Sequence, residues 1–324
     1  MEYRIIPLPD LTREIAFYEK WIEMGYNGEM TYLKRTLDKR KTFPEGARSI
    51  LVVRAFYNDI QWDEINTGGK ALISKYAIRA DYHTVIKNFI ADFLAELEIK
   101  HKGLQYKVFV DSSPVLEKPI ARFAGFGIIG YNTLLLDSEW GSYFHIGGAF
   151  LSRDLAEFVE ILKDNPCLGC NLCVESCPTG ALIKPGVLDA SRCISYLTVE
   201  YKGVIPRELA VKMQNWVFGC DVCQEVCPLN RKKKYLKVHS MCREELIAPP
   251  IESLLSLEEK DFLKLFDETP VLRTGYVRFL RNVIVAAYNT GYLYLLYNMY
   301  KRGKLQQERL WMLQIDEMGG LNEP

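Results

Sequence analysis

Residues 167–178 read CLGCNLCVESCP, and residues 219–230 read GCDVCQEVCPLN. In the first stretch Cys167, Cys170 and Cys173 recur every third residue, Cys177 follows after four, and Pro178 stands directly behind it. Cys220, Cys223, Cys227 and Pro228 repeat the end of that pattern without its leading cysteine. A C-x2-C-x2-C loop wraps three thiolates around one cubane four-iron four-sulfur cluster, and the cysteine before the proline points away to a second cluster. The spacing therefore predicts two interlocked sites. One takes Cys167, Cys170, Cys173 and Cys227; the other takes Cys177, Cys220, Cys223 and Cys193, which lies between the loops in SRCISYLTVE. Paired zinc sites are the alternative, but zinc knuckles present two C-x2-C pairs across a spacer rather than three cysteines in one tight loop. The ninth cysteine, Cys242, has no place in this scheme and reads as a small core residue.

The rest of the composition is that of an ordinary globular chain. Of 324 residues, 48% are apolar and 25% charged, enough for two or three compact units. Lysine plus arginine equals aspartate plus glutamate at 41 each, so no global positive field gathers nucleic acid. The first residues, MEYRIIPLPDLTREIAF, carry charge throughout and contain no export signal, so a cytoplasmic location is expected, where thiols stay reduced and bind metal rather than pair. The long uncharged run 282–300 holds asparagine, threonine, glycine and five tyrosines, which suits a buried helical hairpin better than a membrane span.

Periodicity predicts a helix over residues 11–24, a buried strand over 49–56, a long amphipathic helix through 85–97 and a short strand over 106–110. Asp111 stands at the end of that last strand. Desolvation there would raise its pKa and make it a proton donor near neutrality; the competing reading is a helix cap beginning near Pro114. AGFGIIG spells G-x-G-x-x-G with Gly125, Gly127 and Gly130, yet it follows a helix-like stretch and precedes a strand-like one. That is the reverse of a dinucleotide fingerprint, so a turn approaching a flat cofactor is the better functional reading. RKKKYLK at 231–237 places five cations beside the second cysteine loop, a solvated face or an RNA-phosphate contact. From residue 249 onward the pattern is helical.

Taken in order, KYAIRADYH (75–83), VDSSPVLEKPIARFAGFGIIG (110–130), CLGCNLCVESCPTGAL (167–182), SRCISYLTVE (191–200) and FGCDVCQEVCPLN (218–230) closely resemble the epoxyqueuosine reductases. The resemblance implies a cobalamin-dependent enzyme with two 4Fe-4S clusters. Its substrate would be tRNA carrying epoxyqueuosine at the wobble position, whose epoxide is reduced to the cyclopentene with loss of water. It further implies base-off cobalamin, Asp111 as proton donor, and Tyr76, Asn132 and Ser195 near the corrin. Asp81 and His83 form an Asp-x-His pair without the glycine of a cobalt-ligating motif, so no histidine ligand is expected. The implied architecture is α+β: a cobalamin- and substrate-binding α/β domain over 1–160, a two-cluster ferredoxin-like domain over 161–245, and a C-terminal helical cap over 246–324. A monomer fed by a low-potential electron donor of unknown identity is expected.

The chain departs from the family at Gly130-Tyr131-Asn132 and at Gly147-Gly148. A shortened start before Ile5 and a reduced helical repeat imply weaker or rearranged tRNA docking. The alternatives are a reductive dehalogenase-like oxidoreductase and a non-catalytic iron–sulfur electron carrier.

Overall fold

The computed structural model describes residues 1–57, 60, 68–161, 165–231, 240 and 242–321. Its first half is built on an antiparallel sheet. Strands β1 (Glu2–Pro7), β2 (Ser49–Phe56), β3 (Tyr106–Phe109) and β4 (Phe144–Leu151) lie in the order β1-β2-β4-β3. All eight residues of β2 are buried because both faces of the sheet are covered. Leu51, Val53 and Ala55 pack on Ile86, Ile90 and Leu94 of helix α1 (Tyr82–Lys100); Ile50, Val52 and Phe56 share the other core with Ile120 and Ala121 of helix α2 (Glu117–Phe123). The apolar run thus acts as a strand of alternating faces, each with its own helix. Arg54 breaks the run but keeps its charge paired: it meets Glu2 at 2.7 Å and Asp137 at 2.6 Å, with its guanidinium 4.7 Å from the Phe126 ring centre.

The glycines of β4 are there for packing. A Cβ on Gly147 would come within 2.6 Å of Ile86, and one on Gly148 within 2.2 Å of the Leu51 carbonyl oxygen and 2.5 Å of Phe109. A larger residue at 148 has no room while Phe109 fills that space. The G-x-G-x-x-G stretch likewise closes on its own protein. A Cβ on Gly125 would meet the Glu160 carbonyl at 2.7 Å and one on Gly127 the Leu136 carbonyl at 2.5 Å, so the reading of a turn that approaches a cofactor is replaced by one of tight backbone packing.

The second half shares one continuous core. The short strand Leu72–Ile73 runs parallel to β5 (Trp216–Phe218), and both bury against helix α3 (Tyr276–Asn289). That helix carries two fully buried polar residues. Arg281 donates to the carbonyls of Leu197, Tyr201 and Gly203, and Asn282 to those of Thr198 and Val217, which satisfies loop carbonyls beside the cysteines. Helix α4 (Leu293–Lys301) follows after a three-residue turn and packs on α3, so the uncharged run does form a pair of helices. No helix among the described residues is long and apolar enough to cross a membrane.

Candidate active site

The edge strand β3 ends at the candidate site. Two residues beyond β3, Asp111 adopts φ 51°, a left-handed conformation that costs a non-glycine residue energy and recurs at functional sites. Its backbone N–H donates to Glu117 Oε1 at 2.6 Å, and its own side chain is 56% exposed. It caps nothing: α2 begins at Glu117, and its N-cap Leu116 makes no side-chain cap. The helix-cap reading is therefore set aside.

His83 stands beside it. Asp81 is the N-cap of α1, accepting the His83 backbone N–H at 2.9 Å and facing His83 Nδ1 at 2.7 Å. His83 Nε2 has two neighbours, Asp111 Oδ2 at 3.1 Å and Arg273 Nη1 at 3.0 Å. Arg273 also donates to Asp81 Oδ2 at 3.1 Å. Burial alone would lift the Asp111 pKa, but the hydrogen bond from His83, that histidine's charge and a bond to Tyr82 outweigh it and hold the carboxyl below its usual value. The sequence expectation of a raised Asp111 pKa is thus corrected. Asp81 is held at about 2 in the same way, against its own burial, by His83 and Arg273. The groups pushed upward are others. Burial and the neighbouring Asp111 charge drive Glu117 up to about 8, and His83 rises because its bonds to Asp111 and Asp81 overcome burial.

An aromatic wall leads inward. Tyr82 lies flat on His145, with ring centres 3.9 Å apart at 6°, and Tyr76 meets Tyr82 edge-on at 6.1 Å. Tyr76 in turn sits 6.0 Å from the Phe218 ring, and a Cβ on Gly219 would be 3.4 Å from its edge. Cys220 is the next residue.

Both cysteine loops fold as short helical turns, Leu172–Glu175 and Val222–Glu225, packed on each other. The thiols lie within electrostatic reach of one another: Cys167 feels Cys227 and Cys170, Cys173 feels Cys167 and Cys227, Cys193 feels Cys177, Cys220 feels Cys223 and Cys193, and Cys223 feels Cys193 and Cys177. Cys223 also feels Cys173. Backbone N–H groups point at the sulfurs, from Tyr131 to Cys167, from Ser195 and Tyr196 to Cys193, and from Val222 to Cys220. Such donors stabilise thiolate and cluster charge, so the donor set suits iron–sulfur clusters. Among the described residues no three potential ligands converge as one metal ion requires; a cubane instead spreads its thiolates over four separate irons. Burial pushes the Cys220 and Cys223 thiols well above their ordinary pKa.

Asn132 and Ser195 both touch these loops. Asn132 is buried and donates to the Cys223 carbonyl at 3.4 Å, and Ser195 offers its backbone N–H to Cys193. Cys242 is partly buried against the large core. Of the basic run only Arg231 is described, and residues 232–237 lie outside the described residues. Sequence reading missed Glu117, Arg273 and the relation of His83 to Asp111. The Asp81 N-cap was a usable signal for His83; nothing local marks Arg273, which is 190 residues away from it.

The comparisons agree with this geometry. A profile described as a 4Fe-4S double cluster binding domain matches residues 166–230, and one described as "Epoxyqueuosine reductase QueG, DUF1730" matches residues 37–112. The epoxyqueuosine reductase of Pseudomonas aeruginosa is 39% identical over 293 residues, covering 86% of this chain and 79% of its own; that of Escherichia coli is 35% identical, covering 86% and 75%.

The chain belongs to the epoxyqueuosine reductase family.

It is accordingly an oxidoreductase with a domain of the double 4Fe-4S cluster type. The family fold is matched over almost the whole chain. A selenomethionine-labelled epoxyqueuosine reductase superposes with TM-score 0.87 at 24% identity, covering 98% of this chain and 86% of its own, and one bound to an epoxyqueuosine-modified tRNA-Tyr stem loop superposes with TM-score 0.85. The Bacillus subtilis member has been seen with the loop of its catalytic aspartate swung out of the active site.

Proposed function

We propose that this chain reduces epoxyqueuosine to queuosine at the tRNA wobble position with two 4Fe-4S clusters and base-off cobalamin, Asp111 delivering a proton to the epoxide oxygen. The observation that carries the reading is the unbroken line of contacts from Cys220 through Gly219, Phe218 and Tyr76 to Tyr82 and Asp111. Electrons and protons thereby meet in one cleft.

In this reading Cys167, Cys170, Cys173 and Cys227 hold one cluster, and Cys177, Cys193, Cys220 and Cys223 the other. Residues 1–160 bind cofactor and substrate, 161–245 carry the clusters, and 246–324 brace them through Arg281 and Asn282. Bound cobalamin would supply a low-potential metal centre able to pass two electrons to carbon. His83 would not be needed as a ligand to the cobalamin, since both its nitrogens face other side chains. Tyr76 would lie against the corrin, while Asn132 and Ser195 act on it indirectly by shaping the buried cysteine loop. The tRNA anticodon loop would approach by the open face of Asp111.

A dehalogenase-like enzyme would need the same clusters on another substrate, and a bare electron carrier leaves the Asp111 cleft without purpose. The test is anaerobic reconstitution with iron, sulfide and cobalamin, a low-potential reductant, and mass spectrometry of modified tRNA. Loss of one oxygen from the nucleoside supports the proposal; persistence of the epoxide with both clusters and cobalamin loaded rejects it.

A further inference from the structure

His83 Nε2 lies between two groups that require opposite things of it. Asp111 is an acceptor when ionised and needs Nε2 to carry a proton; Arg273 is only a donor and needs Nε2 to offer its lone pair. The distances, 3.1 and 3.0 Å, allow either bond but not both at full strength. Asp81 fixes the other nitrogen as a donor in both states, because its carboxylate faces Nδ1 at 2.7 Å. His83 is 5% exposed, whereas the side chains of Arg273 and Asp111 are 44% and 56% exposed. The ring is thus a buried, oriented, two-position element between an open carboxylate and an open guanidinium.

We propose that His83 is a proton relay that refills Asp111 during turnover, with Arg273 holding the imidazole in its spent, neutral state. The inference rests on the functional reading above, in which Asp111 protonates the epoxide oxygen. Converting an epoxide to an alkene with release of water consumes two electrons and two protons, so an acid that empties once must be reloaded within the same cycle. Asp111 by itself is poorly suited to that, since its surroundings favour the ionised form, while the neighbour that favours the protonated form is His83. The N–H bond at Nε2 breaks as an O–H bond forms at Asp111 Oδ2, and the carboxylic acid passes its proton to the departing oxygen. The imidazole, now neutral, keeps its Nδ1 proton on Asp81 and accepts from Arg273 Nη1 until solvent restores the proton. The reductive chemistry of the established activity supplies the electrons.

The charged and titratable groups facing this pair are Asp81 and Tyr82 of α1, Glu117 of α2, Tyr32 of the helix Thr31–Arg35, Tyr76 of the turn Lys75–Ala77, Arg273 of the turn Pro270–Thr274, and Glu200 at the end of the helix Ile194–Val199. Removing the Asp111 charge should therefore lower the His83 pKa, and removing Arg273 should raise it.

The experiment has two arms. Nitrogen-15 histidine NMR titrations on the full chain, needing neither substrate nor cofactor, compare wild type, Asp111→Asn and Arg273→Met. The relay requires His83 to shift down in the first variant and up in the second; a titration unmoved by Asp111→Asn overturns it. In the reconstituted enzyme, single-turnover rate against pH should fall as pH rises through the His83 pKa, because the protonated form is the competent one. His83→Gln should be about 10²-fold slower, within the usual range for a lost acid, and should lack that alkaline limb, while cluster spectra and tRNA affinity stay unchanged. A His83→Gln profile with the wild-type limb overturns the relay even if its rate is low, since loss of loop support alone would not erase the limb. A wild-type enzyme inert towards the epoxide overturns the functional reading instead, and the NMR arm still decides the proton coupling.

Discussion

The Asp111 loop and the second cysteine loop, the proposed proton and electron sides, are built on opposite principles. Asp111 sits on a loop with a strained backbone, its N–H held by Glu117 and its exposed carboxylate by His83. The cysteine loop that faces it is locked in from all directions. Asp221, fully buried, accepts from Ser74 Oγ at 2.5 Å and from the Lys75 backbone at 2.8 Å. Lys75, 1% exposed, pairs with Glu225 at 2.6 Å, and Tyr143 also hydrogen-bonds Glu225. The contrast follows from what each side must exchange. A proton donor needs solvent and room to move. An electron relay needs fixed distances and a dry surround, in which cluster potentials are set by burial and N–H donors. A gradient runs within the electron side as well. Leu168 in the first cysteine loop is 76% exposed, whereas Phe218 and Asp221 around the second are 1% and 0% exposed.

The comparison can be broken most severely on the electron side. Cys220→Ser should abolish turnover and leave about four irons per chain instead of about eight, read by iron assay and electron paramagnetic resonance. If activity survives, the line from Cys220 to Asp111 is not the route. Next comes the proton side: Asp111→Asn should slow single turnover about 10²–10⁴-fold with both clusters spectroscopically intact. Asp221→Ala strands two buried donors and should cost about 3 kcal/mol in urea unfolding, whereas a polar change at exposed Leu168 should cost almost nothing. An iron chelator should strip the cluster of Cys167, Cys170 and Cys173 first and the buried one later, giving two phases of equal amplitude. A single phase would remove the gradient.

The smallest effect is a pH dependence at Glu117. Its pKa in the fold is raised from 4.5 to about 8, so its contribution to stability is complete below 4.5 and is lost as pH climbs through about 8. Thermal unfolding of wild type should therefore decline from pH 5 to 8 more steeply than that of Glu117→Gln, which keeps an oxygen to accept the Asp111 N–H. Parallel curves would mean that the carboxyl is not desolvated.

Much of this was legible in one dimension. The interval of three between thiols selects a cubane loop, and the apolar run 49–56 became β2 with the bounds its pattern indicated. The long helix, the strand before Asp111 and the C-terminal helix pair were likewise visible, because each is written in local periodicity. What the pattern missed depended on contacts far apart in the chain. In sequence Gly147 and Gly148 stand out only as departures from the family, yet they make room for Ile86 and Phe109 across the sheet. Asp111 was expected to bind its proton more tightly than usual, because burial was the only influence a strand end revealed.

By itself, then, the sequence determined that the chain carries a domain of the double 4Fe-4S cluster type, since thiolate spacing within each loop is a local geometric constraint. Only the tertiary structure decided the proton chemistry. Electrostatic shifts depend on separations of a few ångströms between groups such as His83, Asp111 and Arg273, and nothing in their order along the chain specifies that they meet.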